Sequence, residues 1–128
     1  MVKTLPEGSY IETGFIDDLF SLYQLFDVFV HVPIDEQLEA FGQIYIEAFV
    51  SKTPSIYTSS GIAREIAVHE ENALIVDFKN SEQITESIIR LVENRDIREK
   101  ITENGIKSID ERFQLDTMIN SFTKLYTE

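Results

Sequence analysis

The sequence contains no cysteine, which excludes a disulfide scaffold, a thiolate metal site and a cysteine nucleophile. It also has no apolar run near the ~20 residues that a membrane-spanning helix needs. The first residues, Met1 to Pro6, include no apolar stretch of the length found in secretory signals. We therefore expect a cytoplasmic protein, and any contact that it makes with a membrane is expected to go through a partner.

Basic residues are scarce as well. The sequence has 11 Lys and Arg against 23 Asp and Glu, which gives a formal net charge of -12. Proteins that bind nucleic acid gain affinity by neutralising phosphates with Lys and Arg, so nucleic acid is not expected as a partner. The excess of acidic residues disfavours docking of this domain on anionic lipid for the same reason.

What the sequence does contain is an alternation of short apolar runs with longer amphipathic stretches. This alternation is typical of strand-helix-strand units on a parallel sheet, and it predicts an α/β fold. Four strands are predicted, at residues 10–14, 27–32, 54–58 and 73–76. Helices are predicted between them at about 17–24, 41–51 and 63–68.

Three further helices are predicted in the C-terminal part of the chain. Ser81 is the expected N-cap of the first, and the dipeptide Asn104-Gly105 is expected to interrupt the second. The third carries apolar residues at three- and four-residue spacing, which predicts a face turned toward the core. That face consists of Leu115, Met118, Ile119, Phe122, Leu125 and Tyr126.

Residues 39–49 carry the clearest indication of chemistry. Glu39 lies in a predicted loop after a strand, and Glu47 lies about two turns into the next helix. The free N–H groups at the start of that helix favour an anion, and Gly42 lets a phosphate approach the backbone closely. In an open parallel sheet, ligands bind at this end of the strands. One carboxylate on each side can then accept hydrogen bonds from sugar hydroxyls, although the same spacing also fits two solvated surface charges.

This segment resembles the E-x7-E motif of retaining GT-B glycosyltransferases of the group 1, or family 4, type. The match has the form E-x-F-G-x-x-x-x-E-A. Shorter similarities occur in the family's order over nearly the whole chain, from about Tyr10 to Tyr126. Residues 22–33 resemble the signature LY..aDvfv.P, residues 60–66 resemble GG-x-x-E-I-V, and residues 71–76 resemble G-x-N-G-L-L-V.

The resemblance implies a partial Rossmann-like, doubly wound parallel sheet of about four strands, with helices on both faces and a C-terminal helical segment. It assigns Glu39 to the reacting donor sugar as the catalytic residue and Glu47 to the ribose hydroxyls of the nucleotide. Phe15 is assigned, by the same resemblance, to the border of the nucleobase. The other implied contacts to the sugar and the diphosphate come from the loop, the helix start and the turn glycine, namely Phe41, Gly42, Gln43, Ile44 and Gly61.

The activity implied by the resemblance is transfer of a glycosyl unit from a nucleotide-diphosphate sugar with retention at the anomeric carbon. The acceptor would be a glycan or a lipid-linked molecule, as in polysaccharide biosynthesis. The family works without a metal, and the sequence has no Asp-x-Asp to hold one. Neither a metal nor a cofactor is therefore expected.

Residues 1–128 are expected to form one partial donor-binding domain. The chain begins at what resembles the family's third strand, and the first two strand-helix units and the acceptor domain have no counterpart in it. In the strand order 3-2-1-4-5-6, the strand at 27–32 would then present an unpaired edge. We therefore expect a partner chain that carries the acceptor domain, a homodimer, or a truncated product.

Two other functions compete with donor binding. A non-catalytic, degenerate GT-B module that binds another protein would have the same fold, and nucleotide binding would separate the two. A receiver-type phosphoacceptor domain is suggested by Asp17-Asp18 after a strand. It is disfavoured because no third Asp is well placed at a strand end and because the two acids are suited to the start of a helix.

The remaining polar residues have simpler interpretations. His31, at the end of a strand, is expected to be packed or hydrogen-bonded rather than an acid. His69 is expected at the surface. Arg64 and Glu65 form either a local ion pair or a support for the turn at Gly61 through Glu65, and the sequence leaves both open.

Overall fold

The computed structural model describes residues 5–127, without the side chains of residues 111 and 127. Within that range the helices are α1 (Leu19–Tyr23), α2 (Gln43–Val50), α3 (Ala63–Ile66), α4 (Ser81–Glu93), α5 (Arg95–Arg112) and α6 (Leu115–Thr127). The strands are β1 (Phe29–His31), β2 (Ser55–Tyr57) and β3 (Leu74–Ile75). The alternation of strands and helices that the sequence predicts is therefore confirmed.

The three strands form one parallel sheet in the order β1-β2-β3. Val30 lies opposite Ile56 in the first pair of strands, and Tyr57 lies opposite Ile75 in the second. β1 is an edge of this sheet, as expected for the strand at residues 27–32. Because all strands are parallel, the loops that follow β1 and β2 leave the sheet side by side.

The strand predicted at residues 10–14 is wrong. This segment forms no strand, and all five of its residues are exposed, Ile11 to 89%. A strand is stabilised by ladder hydrogen bonds and by burial of one face, and this segment gains neither in the described chain. The sheet consequently has three strands where about four were predicted.

Both faces of the sheet are covered by helices, as predicted. Ile56 and Tyr57 are adjacent in β2 and are both fully buried, but they belong to different apolar clusters because successive side chains in a strand point to opposite faces. One cluster comprises Tyr45, Phe49, Tyr57, Ala63, Ile66, Ala73 and Ile109, from α2, α3 and α5 besides the sheet region. The other comprises Ile56, Leu74, Val76, Leu91 and Ile101, with α4 and α5.

Two predictions about helix ends need correction. The N-cap of α4 is Asn80, whose side chain accepts from the N–H of Gln83, rather than Ser81. α5 is not interrupted at Asn104-Gly105 but continues through both residues. A Cβ at Gly105 would lie 2.7 Å from Cδ1 of Phe49. The glycine therefore permits the close approach of α5 to α2, and it does not mark a break.

The apolar stripe of α6 is not turned toward the core, contrary to the prediction. Every described side chain of α6 is exposed, and its large apolar residues range from 48% exposed for Ile119 to 87% for Tyr126. Phe122 and Leu125 instead line an open groove of about 520 Å³ together with Phe113, at the end of α5. Periodicity identifies the apolar face of a helix, but it does not establish that another element covers it.

None of the helices between residues 5 and 127 combines the length and the apolar character needed to cross a bilayer.

Tyr57 offers a test of the core. Its side chain is fully buried, and within residues 5–127 its hydroxyl has no hydrogen-bond partner. An unpaired buried hydroxyl costs about 1–3 kcal/mol, so Tyr57→Phe is expected to raise the free energy of unfolding at pH 7 by an amount in that range. Urea unfolding measures it.

The same variant should change the response to alkali. Burial raises the pKa of Tyr57 above its ordinary value, so the folded state retains the proton that the unfolded state loses above about pH 10. Stability therefore falls as pH rises beyond that value, and this fall should be smaller in Tyr57→Phe. The matched control is Tyr126→Phe at an 87% exposed position. A Tyr57→Phe protein less stable than the wild type at pH 7 would contradict the assignment.

Candidate functional site

Two loops meet at the carboxyl ends of adjacent strands. The first, residues 32–42, connects β1 to α2, and the second, residues 58–62, connects β2 to α3. The N–H of Ile62 donates to the carbonyl of Phe41 at 2.7 Å, and the hydroxyl of Thr58 donates to the carbonyl of Pro33 at 3.0 Å. Ligands bind at this end of open parallel sheets, and these hydrogen bonds hold the two loops together there.

Gly61 lies where the two loops are closest. It is buried, and its φ of +50° is in the left-handed region that favours glycine. A Cβ at this position would lie 2.6 Å from the carbonyl oxygen of Phe41 and 2.8 Å from Cγ of Glu39. The structure thus brings together three of the residues predicted from the sequence, and it does so through the absence of a side chain at Gly61.

Gly42 is the N-cap of α2 and also has a left-handed conformation, with φ of +80°. A Cβ on it would lie 2.4 Å from the ring of Tyr45 and 2.9 Å from Cγ of Glu39. The N–H of Tyr45 donates to the carbonyl of Gly42 at 3.1 Å, which closes the first turn. The N–H groups of Gln43 and Ile44 lie at the N-terminal end of α2, where amides lack partners within the helix.

Each glutamate of the predicted pair has a different hydrogen-bond partner. Glu39 is in the first loop, and its Oε2 lies 3.3 Å from Nε2 of His31. Glu47 is in the second turn of α2, and its Oε2 accepts from the hydroxyl of Tyr23 at 3.3 Å. Both carboxylates are partly exposed, so each retains oxygen lone pairs that can accept from a ligand.

Tyr23 was not identified as a site residue from the sequence. Burial raises the pKa of its hydroxyl above the ordinary value, and the charge of Glu47 acts in the same direction. The hydroxyl consequently remains a neutral donor to the carboxylate. Tyr23 belongs to the segment that resembles the LY..aDvfv.P signature, but a hydrogen bond between residues 24 positions apart leaves no periodic signal in the sequence.

A cavity of about 400 Å³ lies beside Glu47, between α1 and α2. Its size is within the range of small-molecule sites. One side carries the carboxyl groups at the start of α1, where Asp18 caps the helix by accepting from the N–H of Ser21. The remainder combines aromatic and polar side chains, among them Phe20, Tyr23, Gln43 and Glu47.

Phe15 is not brought to this group. It lies in the irregular segment before α1, is 93% exposed and does not line the cavity. Phe41 is about half exposed, and Ile44 packs partly against the apolar cluster on its face of the sheet. The structure therefore assembles Glu39, the loop and helix start, Glu47 and Gly61, and leaves Phe15 apart.

The other polar residues have clear positions. His31 is packed and hydrogen-bonded, as predicted. His69 is exposed, as predicted, and its Nδ1 accepts from the N–H of Ile75. Neither interpretation of Arg64 and Glu65 is correct. Arg64 pairs with Glu36 at 3.8 Å and donates from Nε to the carbonyl of Gly61 at 3.4 Å, so the arginine, not the glutamate, supports this turn.

Across the described part of the chain, no group of three or more His, Asp and Glu side chains is arranged to hold a metal ion.

Comparison with known proteins gives consistent matches over most of the chain. The family model for glycosyl transferases group 1 matches residues 4–108. A glycosyltransferase of Methanocaldococcus jannaschii, itself uncharacterised, is 32% identical over 115 residues, which cover 88% of this chain and 29% of that protein. The capsular polysaccharide biosynthesis glycosyltransferase CapM of Staphylococcus aureus is 31% identical over 116 residues, or 85% and 30% of the two chains. The chain thus spans about 30% of the length of these relatives.

Solved structures agree with the architecture. The C-terminal domain of a group 1 glycosyl transferase, LpcC of Francisella tularensis, is 32% identical with a TM-score of 0.70, covering 80% of this chain and 53% of that one. HepE of Anabaena, solved in complex with UDP-glucose, is 21% identical with a TM-score of 0.79, covering 90% and 31%. The parallel sheet with helices on both faces is that of the Rossmann-like C-terminal domain of GT-B glycosyltransferases. The chain belongs to the group 1 glycosyl transferases.

Proposed function

We propose that this chain is the donor half of a retaining glycosyltransferase and binds a nucleotide-diphosphate sugar at the junction of its two loops. The observation that supports the proposal most directly is the placement of Glu39 before the start of α2, next to Gly61, and of Glu47 in the second turn of α2. The acceptor would be a glycan or a lipid-linked molecule, bound by a partner chain or by a second copy. The similar protein CapM is named for capsular polysaccharide biosynthesis, which is consistent with such an acceptor.

The start of α2 is suited to the diphosphate. The N–H groups of Gln43 and Ile44 precede the first closed turn, and the positive end of the helix dipole adds to their attraction for an anion. When the bond to the sugar breaks, negative charge grows on the departing diphosphate. Donors already aimed at that charge stabilise the transition state more than the ground state, so no metal is needed in the proposed mechanism.

Glu39 would act at the sugar. Its carboxylate lies next to the loop backbone at Phe41 and Gly61, and one oxygen is held by His31. In this position the carboxylate can accept from a sugar hydroxyl, and its charge favours the positive, oxocarbenium-like character that develops at the anomeric carbon.

Glu47 would bind the nucleoside. Its carboxylate faces the cavity between α1 and α2 and can accept from two neighbouring ribose hydroxyls, with Tyr23 fixing one of its oxygens. The ring of Phe20 on the cavity wall offers an apolar surface to a base. This arrangement predicts that the nucleotide alone, without the sugar, contributes substantial affinity.

A thermal melt of the chain with UDP, GDP or ADP tests the proposal, because a ligand that binds only the folded state raises the melting midpoint. One nucleotide should raise it. Hydrogen bonds to a charged group contribute about 1.5–3 kcal/mol, so Glu47→Ala should weaken that nucleotide's binding by roughly 10- to 150-fold.

Glu103→Ala is the matched control, since Glu103 is exposed on α5 and does not line the cavity beside Glu47. It should leave the nucleotide effect unchanged. A cooperative melt that none of the three nucleotides moves would instead support the alternative, a non-catalytic module that binds another protein.

A further inference from the structure

We propose that His31 is a positioning residue for Glu39: it holds one carboxylate oxygen through Nε2 and so directs the other oxygen toward the donor sugar. This inference rests on the proposed function, in which Glu39 contacts that sugar. It adds a residue to which the E-x7-E resemblance gives no role.

The contact joins two elements that are fixed independently. His31 is the last residue of β1, and Glu39 lies eight positions later in the loop. Their side chains are 24% and 27% exposed, and Nε2 lies 3.3 Å from Oε2. Within residues 5–127, no other side chain hydrogen-bonds the Glu39 carboxylate. Arg64 instead pairs with Glu36 and donates to the carbonyl of Gly61.

The imidazole ring is itself held by the core. It stacks on the ring of Phe29 with an interplanar angle of 9° and a centroid distance of 6.3 Å. Its other contact is with the edge of Tyr45, at 5.0 Å and 72°. Tyr45 is fully buried, and its hydroxyl pairs with the buried Ser60 hydroxyl at 2.7 Å. The orientation of the ring is therefore set from the interior, and Nε2 reaches Glu39 in the loop.

This arrangement fixes a flexible side chain. A glutamate has three rotatable bonds, and ordering such a side chain opposes binding. A carboxylate can accept at both oxygens, so one hydrogen bond from a rigid ring fixes the rotamer and leaves Oε1 available. His31 then acts on the sugar only through Glu39, and it has no contact with the part of the site assigned to the nucleoside.

Two substitutions separate this role from packing. His31→Phe keeps an aromatic ring between Phe29 and Tyr45 but removes the donor. His31→Gln places an amide nitrogen at about the reach of Nε2 and restores the donor without the ring. Each protein is titrated calorimetrically with a nucleotide and with its sugar conjugate, using UDP with UDP-glucose, GDP with GDP-mannose and ADP with ADP-glucose.

For the pair that binds, we expect His31→Phe to lower the affinity for the sugar conjugate roughly tenfold and the affinity for the nucleotide less than twofold. His31→Gln should recover most of the loss for the sugar conjugate. Equal losses for both ligands, no loss at all, or failure of Gln to restore binding would overturn the inference and leave the proposed function standing. A wild-type chain that binds no member of the three pairs would overturn both.

Discussion

Gly61→Ala is expected to lower the free energy of unfolding by about 2–5 kcal/mol and to remove donor binding. The left-handed backbone of Gly61 costs a residue with a Cβ about 1–2 kcal/mol, and the added carbon would meet the Phe41 carbonyl at 2.6 Å, a form of overpacking that costs about 1–3 kcal/mol. The obstruction is backbone, so relief requires the loop that carries Glu39 to move. Urea unfolding and the nucleotide melt measure the two effects.

Gly8→Ala is the matched control for this substitution. Gly8 also has a positive φ, of +80°, but a Cβ there would meet nothing within 4 Å. It therefore reports the cost of the dihedral angle alone and should leave nucleotide binding unchanged. If Gly61→Ala were no more destabilising than Gly8→Ala, and still bound the nucleotide, the close approach of the two loops would not be a requirement of the site.

The second large effect is expected at Gly105, where α5 passes α2. Gly105→Val should lower the free energy of unfolding by about 3 kcal/mol, the upper part of the range for overpacking, because the side chain would enter the space of the Phe49 ring. Glycine is ordinarily less favourable in a helix than alanine, by about 1 kcal/mol. A loss of stability in Gly105→Ala as well would therefore show that contact with Phe49 outweighs helix propensity. Chemical denaturation of the wild type, Gly105→Val and Gly105→Ala compares their free energies of unfolding.

Lys107→Val provides the control on the same helix. Lys107 is exposed, so the β-branched side chain changes helix propensity there without a clash. We expect this substitution to change the free energy of unfolding by about 0.5 kcal/mol or less. A cost at Lys107 equal to that at Gly105 would mean that the effect comes from branching at Cβ and not from the packing of α5 on α2.

The strands that the sequence predicted correctly are those with short apolar runs bounded by polar or turn residues. Residues 27–32, 54–58 and 73–76 each contain an observed strand, and β2 is buried along its whole length. Burial on both faces makes such a run apolar throughout, so the signal is strong. Residues 10–14 contain only two apolar residues, Tyr10 and Ile11, and whether they pair depends on a neighbouring strand, which local sequence does not contain.

The candidate site likewise contains residues that the sequence could predict and residues that it could not. The two glutamates, Gly42 and Gly61 were predictable because a helix start after a strand fixes where an anion can bind, and because the family motif supplied the spacing. The partners of the carboxylates were not predictable. His31 and Tyr23 reach Glu39 and Glu47 through tertiary packing of β1 and α1. Sequence alone likewise predicted a helix break at Gly105. The glycine is explained only by the Phe49 ring that packs against it, which tertiary structure reveals.

The hydrogen bonds between the loops after β1 and β2 would also lower the entropic cost of the proposed donor binding. Residues 39–42 are tied to residues 58–62 through Phe41 and Ile62, and Pro33 is tied to Thr58. Ordering a flexible loop around a ligand reduces affinity, because each immobilised residue loses backbone freedom. Here that freedom is lost when the chain folds, whether or not a ligand is present. A nucleotide sugar that arrives between the loops would therefore have to order only the side chains that touch it.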